Sequence, residues 1–385
     1  MASSFTEFDK AGAPSKIGDV SDLSPPKRSP LHEAHLALNA RMVPFAGWEM
    51  PVQYTGIVDE HKAVRERVGV FDISHMGQFL MEGAGTEAFL NRALTNNVSK
   101  LSIGQGQYTL LLNAQGGVID DLIVYCLDDQ VYFLVVNASK IDEDRAQLES
   151  LGFGADVNFA DLSDGYGGIA VQGPKSREVF AGVFGSAALF PEHNTISSGD
   201  SRYFCGTGYT GEEGFEFFAP VAEIRDWFER LVAEAGKLGG MACALGARDT
   251  LRLEMGYPLN GNDLAQDKTP LQAGLGFFVD FEKGDFVGRE ALLAQKAAGL
   301  PTRLTGFRMT SASPPPRSHY GVCHEGNIIA EICSGGLSPS LGYGIGMAYL
   351  PLAIAKAGIP LEIEIRGKRY AAETVKKPFY RKPTP

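Results

Sequence analysis

Two adjacent carboxylates, Asp120 and Asp121, interrupt an otherwise apolar stretch that covers residues 118–125. A pair of glycines, Gly116 and Gly117, precedes the stretch and marks a turn. The pattern alone favours both aspartates lying in this turn, where Asp commonly accepts backbone hydrogen bonds. The alternative is a buried strand that holds one carboxylate at a pocket wall, where it orients a ligand or exchanges a proton.

Alternation along such a strand would separate the two aspartates. Side chains of a strand point to opposite faces in turn, so one of the two carboxylates is expected to point inward. The alternation predicts one face with Ile119, Asp121, Ile123 and Tyr125, and an opposite face with Val118, Asp120, Leu122 and Val124.

Another carboxylate, Glu216, lies within the apolar sequence 214–218, which we predict to be a strand. Burying it costs on the order of several kcal/mol unless hydrogen-bond donors meet it. A heterocycle with adjacent N–H groups, such as a pterin or guanine edge, would satisfy it in bidentate fashion, and an internal arginine would serve equally well. The preceding loop is rich in glycine, which lets backbone approach a ligand closely. It lacks the Gly-Lys-Ser/Thr of a phosphate-binding loop, and its acidic residues would repel phosphate.

A pair of arginines, Arg248 and Arg252, lies on one face of a helix predicted over residues 245–254. Arginine binds carboxylates and phosphates well, so the pair is a candidate anion site. An arginine face that is solvated or internally paired is an equally good interpretation.

Two other conspicuous segments are interpreted as structural. His75 lies beside Asp72 and Ser74, but neighbours on one loop rarely supply the geometry of a catalytic triad, and no Gly-x-Ser-x-Gly elbow is present. His75 is therefore expected to be a structural or pocket-wall residue. Residues 42–54 are dense in aromatic residues and turn formers and would suit the wall of a flat-ligand pocket. An ordinary packed loop is the favoured interpretation there.

Composition restricts the classes of function. The 385 residues have 44% hydrophobic and 21% charged content and a net charge of −11, which is ordinary for a globular protein and argues against non-specific nucleic-acid binding. The five cysteines include no Cys-x-x-Cys pair and the seven histidines show no zinc-like spacing, so we expect free thiols, a reducing compartment and no metal. We also expect no membrane span, because no apolar run is long enough.

An antiparallel α+β fold is predicted to position these residues. Runs of strands followed by a helix occur before Gly168, and a similar plan recurs after it. From Pro301 onward, short strands and turns predict an all-β, barrel-like domain. We therefore divide the chain into a flexible extension over residues 1–29, two interleaved α+β units over residues 30–295 and a C-terminal β-barrel over residues 296–385.

Short blocks spread along the chain carry a family resemblance. The blocks are Phe45-Ala46-Gly47-Trp48-Glu49-Met50-Pro51, Phe71-Asp72-Ile73-Ser74-His75-Met76-Gly77, Gly116 to Tyr125, Thr207 to Glu216, Gly246-Ala247-Arg248-Asp249 and Ser338-Pro339-Ser340-Leu341-Gly342. In order and spacing they resemble the aminomethyltransferase (T-protein) family of the glycine cleavage system, from about Leu31 to Arg381. The resemblance implies a three-domain cloverleaf around a central folate site, with the C-terminal domain a β-barrel.

The resemblance also implies a reaction. A partner H-protein would carry an aminomethyl group on its lipoyl arm, and tetrahydrofolate would bind in the central hole. Transfer of the one-carbon unit to tetrahydrofolate would give 5,10-methylene-tetrahydrofolate, ammonia and dihydrolipoyl H-protein. We expect a cytoplasmic enzyme with no nucleic-acid or membrane partner.

Individual residues acquire roles from the same resemblance. Asp121 matches the family's catalytic aspartate near folate N5 and N10, Glu216 matches the carboxylate that meets the pterin edge, and Arg248 matches the arginine near the anionic folate tail. The matches at aromatic pocket positions are Tyr108, Tyr125 and Tyr209.

Two other functions compete with this one. A tetrahydrofolate-dependent demethylase of the same fold, acting on a small methylated sulfur or amine compound, would share the folate residues. A non-catalytic folate-binding maintenance protein would belong to another class, but its Lys-Gly-Cys-Tyr-x-Gly-Gln motif is absent from the chain.

Overall fold

The computed structural model describes residues 25–382. The strands are β1 (Lys27–Arg28), β2 (Arg41–Phe45), β3 (Trp48–Gln53), β4 (Gly69–Asp72), β5 (Gly77–Glu82), β6 (Gly106–Leu112), β7 (Val118–Asp128), β8 (Val131–Val136), β9 (Asn158–Asp161), β10 (Tyr166–Gln172), β11 (Ile196–Gly199), β12 (Arg202–Cys205), β13 (Gly214–Pro220), β14 (Met241–Cys243), β15 (Thr302–Met309), β16 (Gly321–His324), β17 (Asn327–Leu337), β18 (Gly344–Pro351), β19 (Pro360–Ile365) and β20 (Lys368–Val375). The helices are α1 (His32–Ala37), α2 (Ile57–Glu66), α3 (Thr86–Ala93), α4 (Ile141–Ser150), α5 (Ser176–Phe184), α6 (Val221–Lys237), α7 (Leu245–Met255), α8 (Pro270–Ala273) and α9 (Arg289–Ala298).

Two sheets form most of the region before the barrel. The first sheet has the order β6-β7-β8-β5-β9, and all its neighbours are antiparallel. The second has the order β11-β12-β13-β10-β4-β14 and is antiparallel except where β4 pairs with β14. The predicted antiparallel α+β class is confirmed, and the β4–β14 pair is the parallel exception within these two sheets.

The two sheets face each other, and helices cover their outer faces. Phe133 of the first sheet lies 4.4 Å from Tyr203 and 5.8 Å from Phe218 of the second, measured between ring centroids. Helices α3 and α4 pack on the outside of the first sheet, and α5 and α6 on the outside of the second. Helix α6 does so because its buried residues recur at helical spacing along one face: Ile224, Phe228, Leu231 and Ala235.

The C-terminal strands close into a barrel with the order β15-β18-β17-β16-β19-β20. Its interior is apolar, with fully buried side chains such as Phe307, Leu350 and Ile363. The all-β, barrel-like prediction for this part of the chain is confirmed. No helix in residues 25–382 is long and apolar enough to cross a membrane.

The predicted flexible extension over residues 1–29 reaches into the fold at its end. Its first part, up to residue 24, lies outside the described residues. Strand β1 pairs in parallel with the start of β3. Ser29 is buried, and its hydroxyl donates to the Asp72 carboxylate at 2.5 Å. The end of the predicted extension therefore contacts the folded part of the chain, because the buried Asp72 carboxylate uses the Ser29 hydroxyl as a hydrogen-bond donor.

The aromatic segment at residues 42–54 is a hairpin and not the packed loop that we expected. Strands β2 and β3 are antiparallel, and Phe45 pairs with Trp48. The two residues between them, Ala46 and Gly47, have φ angles of 49° and 79°. Positive φ at both central positions is what a tight hairpin turn requires, so the turn formers connect two strands here.

Candidate active site

Both aspartates lie within strand β7 and not in the turn before it. In the antiparallel ladder with β6, Asp121 pairs with Leu110 and Asp120 pairs with Leu111. The register then shifts between Leu111 and Leu112, which marks a β-bulge. The turn interpretation that the sequence pattern favoured is therefore wrong, since the strand continues through both carboxylates.

The bulge changes which side chains share a face of β7. Beyond it the expected alternation holds, because Ile123 and Tyr125 pack between the sheets whereas Leu122 and Val124 pack under the helices. Ile119 lies with Leu122 and Val124, opposite to the prediction. An extra residue in a strand reverses the alternation on its far side, so the predicted face of Ile119 is corrected while that of the residues after Asp121 stands.

Three side chains hold the Asp121 carboxylate. The Tyr108 hydroxyl donates to Oδ2 at 2.9 Å. The amide Nδ2 atoms of Asn137 and Asn260 approach Oδ1 at 3.1 Å and 3.4 Å. Burial raises the pKa of Asp121, while the hydrogen bonds from Tyr108 and Asn260 favour the carboxylate and limit that rise. A carboxylate held this way can orient a ligand N–H group and exchange a proton at a fixed position.

Asp120 is fully buried and belongs to the frame of the site. Its two oxygens accept the backbone N–H of Asn137 at 3.0 Å and the Nδ2 of the same residue at 2.9 Å. Burial and the adjacent Asp121 raise the pKa of Asp120. Because its oxygens are used by Asn137, Asp120 positions the loop after β8 and does not face a ligand.

Asn137 and Asn260 are site residues that were not predicted from the sequence. Asn137 joins the two aspartates, since its Nδ2 also donates to the Asp121 carbonyl at 2.9 Å. Asn260 donates to the Ile119 carbonyl at 3.2 Å, and its buried Oδ1 has no partner within residues 25–382. The position of Asn137 directly after a buried strand was a usable signal. Asn260 lies in a turn sequence that gives no such signal.

Glu216 lies on β13 of the second sheet. Its Oε2 accepts the Thr207 hydroxyl at 2.5 Å, and Thr207 Oγ1 is 2.7 Å from the Tyr125 hydroxyl. Burial raises the pKa of Glu216, and the Thr207 hydrogen bond and the charge of Arg248 act in the opposite direction. In the described part of the chain, no arginine approaches the Glu216 carboxylate to the 4.0 Å of an ion pair. An internal arginine therefore does not satisfy this carboxylate.

Tyr125 is buried more deeply than a residue that lines a pocket would be. The side chain is fully buried between the sheets. Its link to the site is the hydroxyl contact with Thr207, which in turn holds Glu216. Thr207 was not singled out in the sequence, although it begins the glycine-rich block.

Arg248 on α7 stacks on Tyr209, with the guanidinium carbon 4.5 Å from the ring centroid. Tyr209 in turn stacks on Tyr257 at 5.8 Å and donates its hydroxyl to the Pro258 carbonyl. Burial lowers the pKa of Arg248. Among the described residues the Arg248 guanidinium forms no ion pair within 4.0 Å, which leaves its donors for an anionic ligand.

Arg252 has a different environment on the same helix. It is 2% exposed and forms ion pairs with Asp249 at 2.6 Å and Asp263 at 3.0 Å. It also donates to the Ser334 hydroxyl on the barrel at 3.0 Å. The internally paired interpretation therefore applies to Arg252 and not to Arg248.

His75 forms part of the wall between the sheets and the first hairpin. It is 1% exposed, and its ring contacts the Phe45 ring edge-on at 5.8 Å. Burial and the charge of Arg248 lower the pKa of His75 to about 4. Asp72 is engaged with His35 at 2.8 Å, so no triad forms and the expected structural or pocket-wall role agrees with this placement.

Two cavities lie against the glycine-rich loop. The larger, about 320 Å³, is bounded by residues 206–208, residues 211–214 and Tyr257. The smaller, about 10 Å³, is lined by Tyr209, Glu216 and Arg248. The charge of Asp121 also acts to raise the pKa of Tyr209. The loop therefore lies in one region with Glu216, Arg248 and Tyr209.

Comparisons with known proteins agree with the resemblance seen in the sequence. Residues 31–283 match the family described as the GCVT N-terminal domain, and residues 302–381 match the glycine cleavage T-protein C-terminal barrel domain. The chain is 41% identical over 360 residues to an aminomethyltransferase of Desulfitobacterium hafniense (strain DSM 10664 / DCB-2), an alignment that spans 92% of this chain and 98% of the relative. It is 43% identical over 365 residues to an aminomethyltransferase of Nostoc sp. (strain PCC 7120), which covers 92% of this chain and 96% of the relative.

A solved structure has the same fold over nearly its whole length. The glycine cleavage system aminomethyltransferase T from Bartonella henselae superposes with a TM-score of 0.87 at 34% identity, covering 92% of this chain and 98% of that protein. Both the two-sheet region and the barrel are covered by the family matches, by the alignments with the two relatives and by this superposition. The chain is therefore an enzyme that belongs to the aminomethyltransferase (T-protein) family of the glycine cleavage system.

Proposed function

We propose that this enzyme transfers the one-carbon unit of an aminomethyl group on lipoyl H-protein to tetrahydrofolate. The products are 5,10-methylene-tetrahydrofolate, ammonia and dihydrolipoyl H-protein. The observation that carries the proposal is the pair of buried carboxylates, Asp121 and Glu216, on facing sheets, with Tyr209 lining the same small cavity as Glu216. The aminomethyltransferase relatives support the same reaction.

The residues of the site fit a reduced folate. Glu216 receives one hydrogen bond, from Thr207, and so keeps acceptor capacity for the N–H groups of a pterin edge. Tyr209 offers a flat aromatic surface, and the Arg248 guanidinium on it suits an anionic tail. The unpartnered Oδ1 of Asn260 is a further acceptor beside Asp121. We therefore assign Glu216, Arg248 and Tyr209 to folate binding.

Bound tetrahydrofolate supplies the nitrogen nucleophiles that take up the one-carbon unit. The contribution of the chain is orientation and proton placement. Tyr108 and two asparagines fix the Asp121 carboxylate, so it can hold a ligand N–H group in line with the aminomethyl carbon. Its pKa, raised by burial, also suits it to take up a proton at the same atoms.

Two further assignments belong to this proposal. Tyr108 acts on folate through Asp121, and Tyr125 acts through Thr207 and Glu216, because these hydroxyl contacts join each tyrosine to a carboxylate. We place the reaction in the cytoplasm, where the free thiols of the five cysteines are stable.

The demethylase alternative is not favoured. A demethylase would differ from an aminomethyltransferase in the donor of the one-carbon unit. The two relatives described above, whose alignments include both the two-sheet region and the barrel, are aminomethyltransferases.

A direct assay separates the two functions. The purified chain is mixed with tetrahydrofolate and aminomethylated H-protein, or with methylated sulfur and amine compounds, and ammonia and methylene-tetrahydrofolate are measured. The proposal predicts equal amounts of ammonia and methylene-tetrahydrofolate when aminomethylated H-protein is the donor, and no turnover with the methylated compounds. Turnover of a methylated small molecule in the absence of any turnover with H-protein would contradict it.

A further inference from the structure

A third carboxyl group lies behind the two aspartates of β7. Asp144, in the first turn of α4, is 1% exposed. Neither of its oxygens receives a hydrogen bond from a donor in the described part of the chain. Helix α4 packs on β7, and the fully buried Asp120 carboxyl is the group there that interacts with Asp144 through a side-chain hydrogen bond.

This contact requires a proton. Two carboxylates are both acceptors, so a hydrogen bond between them forms only when one is the neutral acid. Asp120 already accepts two N–H groups from Asn137, at 3.0 Å and 2.9 Å, whereas Asp144 accepts none. The negative charge is better stabilised on Asp120, and the proton therefore belongs on Asp144.

The charged groups around Asp144 do not change this balance. Burial is the main cause that raises the pKa of Asp144, and the charge of Asp120 raises it further. Lys140, the residue directly before this helix, acts in the opposite direction, but its ammonium is paired with Glu143 at 2.6 Å. From β7, Asp121 adds negative charge to the cluster.

We propose that Asp144 is a positioning residue that keeps its proton at neutral pH and donates a hydrogen bond to Asp120. Asp120, held as an acceptor, fixes the backbone and side chain of Asn137. The same Asn137 amide donates to Asp121. The chain of contacts thus runs from a neutral acid in α4 to the carboxylate assigned to folate.

The consequence for the reaction rests on the proposed function. Without the donor from Asp144, the pKa of Asp120 would rise. Asp120 would then be protonated at a higher pH and would lose acceptor capacity for Asn137. Asp121 would then lose part of its support, and transfer would weaken more than folate binding.

Infrared difference spectroscopy on the full chain tests the protonation state without any assay of the reaction. At pH 8, the wild type should show the carbonyl stretch of a buried neutral carboxylic acid. Asp144→Asn should remove this band. Asp142→Asn should keep it, because that side chain is 92% exposed on the same helix. A wild type without the band, or a band that survives Asp144→Asn, would overturn the proposal.

The pH dependence of stability gives a second readout on the same variants. The unfolded wild type loses the Asp144 proton above about pH 4, while the folded state keeps it, so its stability falls as pH rises. Asp144→Asn has no such proton to lose. Its Tm relative to wild type should therefore increase from pH 5 to pH 9, and a constant difference would contradict the proposal.

Kinetic measurements test the positioning role. Asp144→Asn keeps a donor for Asp120 and should retain most of the wild-type kcat. Asp144→Ala should lower kcat about tenfold, with less effect on KM for tetrahydrofolate, and move the acidic limb of the pH profile upward. Equal damage in both variants would show that the ionised form is needed. If the wild type has no activity with H-protein, the proposed function fails while the spectroscopic and thermal readouts still decide the protonation state.

Discussion

Asp121 and Glu216 are both buried carboxylates, but their surroundings give them different properties. Asp121 has donors from three side chains, which fix its direction. Glu216 has one, from Thr207, and lies across the site from the charge of Arg248. A firmly oriented carboxylate suits a reacting centre, and a carboxylate with free acceptor capacity suits ligand recognition. Chemistry and binding are thus assigned to different residues.

This division predicts the effect of Glu216→Ala. The variant should weaken tetrahydrofolate binding about 100-fold, because a hydrogen-bonded charged contact is lost, while kcat at saturating folate changes much less. Equilibrium dialysis and steady-state kinetics measure the two quantities. Glu229→Ala is the matched control, since Glu229 lies on α6 on the outside of the same sheet, is exposed and is paired with Arg225. An unchanged Kd for Glu216→Ala would remove this residue from the folate site.

At the scale of the element, the bulge in β7 is the feature that the sequence could not predict. The alternation from Asp121 to Tyr125 was predictable, because it depends on neighbours along one strand. The start of β7 depends on distant residues: the Val118 N–H donates to the carbonyls of Ala265 and Lys268. The loop at residues 265–268 therefore sets the register at the start of β7. No pattern in residues 116–120 encodes that register.

Gly117→Ala tests this account of the strand. An added Cβ would lie 1.7 Å from the Gln266 carbonyl oxygen, so backbone must move. The free energy of unfolding should fall by about 1–3 kcal/mol, as in overpacked cores, and kcat should fall because Asp121 follows on the same strand. Urea unfolding and turnover measure both effects.

The control for that substitution is Gly154→Ala. A Cβ there meets nothing within 4 Å, so the same chemical change should leave stability and turnover nearly unchanged. If both variants had the same stability, the loop at residues 265–268 would not constrain β7.

At the scale of the molecule, Glu254 on α7 connects the two-sheet region to the barrel. Its carboxylate forms an ion pair with Arg65 at 2.9 Å on one side. On the other side it accepts a hydrogen bond from the Ser338 hydroxyl of the barrel at 2.5 Å. Ser340 donates its N–H at 3.0 Å and His61 lies at 3.3 Å. We propose that residues 30–295 and 296–385 are units held together at this contact. The barrel itself was predictable from its strand pattern, whereas the contact joins residues too far apart in sequence to be recognised.

Glu254→Gln should destabilise the protein in a pH-dependent way. Burial acts to raise the pKa of Glu254, but His61, Ser338 and Arg65 outweigh it and lower the value to about 2. A lowered pKa contributes stability above the unfolded value and loses it as pH falls through the folded value. The variant should be less stable by about 3 kcal/mol at pH 7, and the difference should shrink between pH 4 and pH 2.

Denaturant unfolding at several pH values measures this effect. Glu66→Gln on α2 is a suitable control, because Glu66 is exposed and its ion pair with Arg67 is at the surface. A Glu254→Gln deficit that does not change with pH would mean that the ionised carboxylate is not what joins the two regions.

The assignment of chemistry to Asp121 is tested most directly by comparing Asp121→Asn with Asp120→Asn. Turnover with aminomethylated H-protein and the Kd for tetrahydrofolate are measured for both. Asp121→Asn should lower kcat by about 100-fold or more with little change in Kd, because a positioned proton-exchanging group is lost. Asp120→Asn should lower kcat much less, by about tenfold, since Asp120 acts through Asn137 and not on the ligand. A silent Asp121→Asn together with an inactive Asp120→Asn would contradict the account.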